Sequence, residues 1–74
     1  MDIRRQVGAN VRRYRKERGW SQEELAFECE IHRTYISGVE RGIRNPTIVV
    51  LEKIAKVLKV PPGALLEAGE KRKK

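Results

Sequence analysis

Apolar residues recur along this chain at intervals of three and four, the spacing that places side chains on one face of an α-helix. The first stripe is Ile3, Val7, Val11 and Tyr14, which predicts a helix ending near Gly19. Leu25 and Ala26 belong to the core side of a second helix. Ile36 and Val39 mark a third, which begins after Ile31 and stops at Gly42. Ile48, Leu51, Ile54, Ala55 and Leu58 form the core stripe of a fourth. Pro61, Pro62 and Gly63 end it, and a short fifth helical piece, Ala64 to Ala68, offers Leu65 and Leu66. No segment alternates as a strand would and no repeat is present, so the expected class is all-α with five helices.

Polar residues place the boundaries. Ser21 stands three positions before Glu24, the arrangement of a capping box in which each side chain serves the other residue's amide. Thr47 is placed to cap the fourth helix after the loop Arg44, Asn45 and Pro46. The closing GEKRKK has nothing apolar to bury, so residues 69–74 read as a basic flexible tail behind a single domain at 1–68.

A chain of 74 residues has room for one small core and no second domain. Its single cysteine, Cys29, excludes an internal disulfide framework and reads as a small structural residue. The absence of a long apolar run argues against a signal peptide or membrane span, which leaves the cytoplasm as the simplest location. One histidine and one cysteine, with no partner set around either, make an enzyme, a metal site or a cofactor unexpected, and no small-molecule ligand is anticipated. Lys and Arg number 17 against 10 Asp and Glu, a formal charge of +7. That excess suits a polyanion as partner, although solubility alone would also account for it.

The third helix carries the informative surface. Opposite its apolar face lie Arg33, Thr34, Ser37 and Gly38, of which Thr, Ser and Gly are weak helix formers that a merely solvated face would replace with Ala, Glu or Lys. Two short helices joined by a tight turn, the second with a polar outer face flanked by Arg, meet the geometry of a helix-turn-helix. Short side chains let such a helix approach the floor of a major groove, and Arg33 near its start can make a bidentate contact to guanine.

Through SQEELA, HRTYISGVERG, RNPT and LEKIAKVLKVP, in that order, the sequence resembles the lambda-repressor-like (Cro-type, XRE) helix-turn-helix family over roughly residues 4 to 67. Within it, HRTYIS followed by an ERG turn looks like the recognition segment of restriction-modification controller proteins. The resemblance implies a five-helix lambda-repressor-like domain that binds double-stranded DNA as a homodimer and regulates transcription. By alignment with the family, the base-reading positions are Arg33, Thr34 and Ser37, with Gly38 having no side chain to read with. Tyr35 either reaches a phosphate or base edge or packs its ring inward. Phosphate contacts fall to Ser21, Gln22, Arg44 and Asn45. Arg12 and Arg13 could approach the backbone too, or form a solvated face. Arg15 and Glu40 match an internal ion pair of the family, and His32 sits where a cap or phosphate neighbour belongs. One position departs: the turn residue, usually a left-handed glycine, is Glu30, so the turn is either strained or shaped differently.

The apolar residues Val49, Val50, Val57, Leu65 and Leu66 exceed what one inward face needs, and they are the candidate homodimer interface; a widened core is the bland explanation. A dimer would read a palindrome with half-sites about 10 base pairs apart. The rival function is an antitoxin-type module that binds a protein and only secondarily DNA. RNA is a weaker candidate, since no aromatic stacking platform is evident and Trp20 and Phe27 fit the core or its edge.

Overall fold

Asp2 opens the first helix by accepting a 2.8 Å hydrogen bond from the Arg4 amide, and the hydrogen-bonded Arg4 guanidinium, together with that amide, holds its carboxyl down to about 2. The computed structural model describes residues 2–68. In chain order these form α1 (Ile3–Glu17), α2 (Gln22–Cys29), α3 (Arg33–Glu40) and α4 (Ile48–Leu58), followed by a 3-10 segment at Pro62–Leu66. No strand occurs among the described residues. The tail expected at 69–74 lies outside them.

The architecture therefore has four α-helices and not the five expected. The last apolar piece is a single 3-10 segment of five residues that begins at Pro62 and has no side-chain cap. So short a segment cannot repay the cost of nucleating an α-helix, whereas the tighter i to i+3 turn closes within its length.

Local chemistry explains the other boundaries. Ser21 Oγ accepts from the Glu24 amide at 3.0 Å and Glu24 Oε1 accepts from the Ser21 amide at 2.7 Å, completing the capping box. Thr47 Oγ1 accepts from Val50 at 3.1 Å. At the other end all four α-helices stop in the same way, with paired 6→1 and 5→2 backbone hydrogen bonds around a left-handed residue. That residue is Gly19 after α1 and Gly42 after α3, but Glu30 after α2 (φ 59°) and Lys59 after α4 (φ 61°). The turn at Glu30 is thus left-handed and bears the strain of that conformation.

Val7, Val11, Leu25, Ala26, Cys29, Ile36, Val39, Leu51, Ile54, Ala55, Leu58 and Leu65 make one buried core. Three expectations need correction. Ile3 and Ile48, assigned to the core, are 53% and 82% exposed, because each begins its helix where the stripe runs past the edge of the packed layer. Leu65, assigned to a dimer interface, is wholly buried in the core of the single chain. Phe27, placed in the core or at its edge, is 79% exposed. Cys29 is enclosed as expected, and burial pushes its thiol up to about 11.

α1 and α3 meet more closely than side chains would permit. A Cβ at Gly8 would overlap the Val39 carbonyl oxygen and lie 2.7 Å from that of Glu40, so the two backbones touch at this point.

Candidate nucleic-acid interface

The outward face of α3 is built on a fixed base. Arg15 of α1 donates from Nε and Nη2 to both oxygens of Glu40, at 2.7 and 2.9 Å, and from Nη1 to the Trp20 carbonyl at 2.8 Å. The side chains of the pair are nearly enclosed, and the Glu40 carboxylate beside it raises the Arg15 pKa. Gln22 Nε2 donates to the same Glu40 carboxylate at 3.1 Å. One carboxylate thereby ties α1, the start of α2 and the end of α3 together, and a planar guanidinium bound to two oxygens resists rotation.

His32 precedes α3 and caps it, its Nδ1 accepting from the Thr34 amide at 3.2 Å. An accepting Nδ1 leaves the neutral ring's proton on Nε2. Beyond it, Arg33 and Thr34 are exposed and Ser37 is half-buried, and their spacing groups them on one face opposite the buried Ile36 and Val39. These three are brought together as the sequence suggests.

Gly38, expected on the outward face with no side chain to read with, is buried. A Cβ there would overlap Arg44 Cγ and lie 3.2 Å from Nε, so the missing side chain makes room for Arg44. Arg44 in turn stands over the Tyr35 ring, 5.5 Å from its centroid. Tyr35 is half-buried and packs against the core, which favours the inward reading of that residue and makes it a platform for Arg44. Asn45 follows on the same exposed connection.

At the start of α2 the side chains of Ser21 and Gln22 are engaged inside the chain, the first in its capping box and the second with Glu40. What this end still offers outward is the backbone N–H groups of Gln22 and Glu23, which have no partner within the helix and lie outside the capping box. Arg41 carries no signal of its own in the sequence. It lies four residues after Ser37 and seven after Thr34, on the same stripe and exposed, and extending that spacing by one turn would have found it.

Residues 11–65 match the helix-turn-helix family HTH_3. The chain belongs to that family. Among its relatives is control protein C.BamHI of Bacillus amyloliquefaciens, 51% identical over 67 residues that cover 89% of this chain and 83% of the relative. Among solved structures it is similar to the restriction-modification controller protein C.AhdI from Aeromonas hydrophila, with a TM-score of 0.81 and 40% identity over 84% of this chain and 94% of that one. It is also similar to the master regulator for biofilm formation SinR in complex with DNA, with a TM-score of 0.79 and 40% identity over 82% of this chain and 98% of that one. The matched span contains α2, α3 and the connection at residues 30–32 between them.

Proposed function

We propose that this protein is a sequence-specific regulator of transcription that binds double-stranded DNA as a homodimer, and that it acts as the controller of a restriction-modification system. The observation that carries the reading is the face of α3: Arg33 and Thr34 stand free of the core while Glu40, one to two turns further on, is locked to α1. A rigid helix presenting unspent donors meets the requirement of direct readout in the major groove. The likeness to C.AhdI and to SinR in complex with DNA supports the same reading.

On this reading Arg33 makes a bidentate contact to guanine O6 and N7, and the hydroxyls of Thr34 and Ser37 meet neighbouring base edges. Tyr35 acts through Arg44, which it holds against the groove wall for a phosphate, with Asn45 beside it. Ser21 and Gln22 position the start of α2, whose free amides receive a further phosphate. The reading requires no catalysis and places the protein with its DNA in the cytoplasm; among the described residues no helix is long and apolar enough to cross a membrane.

A second copy supplies the remaining affinity. Val49 and Leu66 are 68% and 44% exposed, whereas Val50 and Val57 are half-buried against the core and contribute their edges. Leu66 lines a shallow apolar groove with Ile3, Val7, Ile48 and Leu51, and Val49 and Val50 line a separate depression with Lys53 and Lys56. The dimer covers apolar surface of this kind and reads a symmetric operator with half-sites about 10 base pairs apart. Selection from a random duplex library tests the proposal. An enriched palindrome that Arg33→Ala loses at one position, with Arg44→Ala weakening all sequences alike, is expected; no enrichment by the wild type would remove it.

A further inference from the structure

A dense positive surface runs along α1, and it holds Arg12 and Arg13, for which the sequence leaves both phosphate contact and a solvated face open. Arg5, Arg12, Arg13 and Lys16 of α1 line an open groove of about 580 Å³ with Ala9, closed on its far side by Glu40 and Arg41 of α3. Arg5, Ala9, Arg12 and Lys16 follow one another at intervals of four, three and four, so they form a single stripe. The eleven helical steps from Arg5 to Lys16 make that stripe about 16 Å long.

Little within the described chain neutralises this charge, although the Asp2 carboxylate is near enough to act on Arg5. Glu40 is the one carboxylate among the lining residues, and its oxygens are already taken by Arg15 and Gln22. Arg13 stacks on the Tyr14 ring at 4.5 Å, approaches Glu17 only to 4.0 Å, and has an enclosed Nη2 with no hydrogen-bond partner among the described residues. A helix surface selected for solvation alone intersperses acids four residues from its bases. α1 carries a single acid, Glu17, at its last position.

Position relates the groove to DNA. Arg41 belongs both to the groove and to the stripe of Thr34 and Ser37, so the two surfaces are continuous. From Arg33 to Arg41 α3 rises about 12 Å, and the major groove is about 12 Å wide. With Arg33 at the bases, a separation of this size is enough for Arg41 and the facing edge of α1 to reach the strand that bounds the groove. We infer that the α1–α3 groove is a second phosphate-binding surface, which takes the sugar–phosphate backbone of the same duplex through Arg5, Arg12, Lys16 and Arg41. The inference rests on the DNA-binding reading above and adds to it an interaction that carries affinity without base preference.

The test compares wild type, Arg12→Gln/Lys16→Gln in the groove, and Arg18→Gln/Lys59→Gln at the exposed C-terminal ends of α1 and α4, which removes the same charge away from both the groove and the proposed dimer surface. Each is titrated with the duplex selected by the wild type and with a random duplex across a series of salt concentrations. The groove variant is expected to keep its ratio of selected to random binding while its plot of log affinity against log salt becomes shallower by about 1.8 per bound subunit, because two phosphates are no longer neutralised. The helix-end variant is expected to follow the wild type. Equal slopes for wild type and groove variant would overturn the inference and leave the reading of DNA by α3 standing, since the wild type would still prefer its operator. An equal fall in both variants would also overturn it, by assigning the effect to net charge. A wild type without any preferred sequence would bring down the DNA-binding reading and this inference with it.

Discussion

Replacing Glu30 with glycine removes a side chain from a backbone held at φ 59° and ψ 42°. That conformation costs an L-residue about 1–2 kcal/mol, because its Cβ crowds the following carbonyl oxygen. Glycine escapes the crowding but returns part of the gain, since its unfolded chain is freer by about 0.4–1 kcal/mol. The Glu30 side chain is exposed, and among the described residues its carboxylate makes no hydrogen bond, so little else is lost. The net expectation is a gain of about 0.5–1 kcal/mol, which in a domain of this size raises the melting temperature by about 2–8 °C. Thermal unfolding followed by circular dichroism measures it, with Glu30→Ala as the control. Alanine removes the charge but keeps the Cβ, so it should show none of the gain. A melting temperature for Glu30→Gly at or below the wild-type value, or an equal rise with alanine, would refute the strain argument. Lys59→Gly repeats the experiment at φ 61° and should behave alike.

Gly8→Ala should destabilise the protein although alanine is the better helix former by about 1 kcal/mol, because the new methyl meets two backbone carbonyls; a higher denaturation midpoint in urea would contradict the close approach. Glu40→Ala should cost about 3 kcal/mol or more in the same assay, since Arg15 is left enclosed without its counter-charge, whereas the double change Arg15→Met/Glu40→Leu should recover most of the loss. Gly38→Ala should push Arg44 off Tyr35 and weaken binding to all duplexes alike with little change in melting temperature; unchanged affinity would show that Arg44 needs no such seat. Cys29 should resist iodoacetamide in the folded state near neutral pH, as mass spectrometry would show. Its pKa is raised from 9.0 to about 11, so the folded state favours the neutral thiol; the stability this contributes is complete below pH 9 and declines as pH climbs toward 11.

Much of this was legible because helix starts and stripes are local chemistry. Ser21 with Glu24, and Thr47, announce their caps by side chains that can do little else, and the spacing of Leu51, Ile54 and Leu58 leaves one arrangement that buries all three. The illegible parts depend on what stands opposite. Leu65 and Leu66 are chemically identical neighbours, and only the packed position of the 3-10 segment sends the first inward and leaves the second 44% exposed. Ile3 and Ile48 satisfy their periodicity but begin beyond the reach of the core. Lys59 gives no side-chain sign of its left-handed backbone, whereas Gly19 and Gly42 do. At the interface, Arg33, Thr34 and Ser37 could be grouped by helical spacing alone. That Gly38 seats Arg44, and that Gln22 is spent on Glu40, required knowing which elements face each other across the fold.

The bare backbone approach at Gly8 bears on how such a chain can change its target. Because α3 rests on α1 through main-chain atoms at Val39 and Glu40, its pose owes nothing to the residues it turns outward. Arg33, Thr34 and Ser37 can therefore be exchanged without tilting the helix that displays them. On the reading proposed here, a lineage built on this frame can drift from one operator to another by single substitutions, each inheriting an already aligned scaffold and none having to refold it.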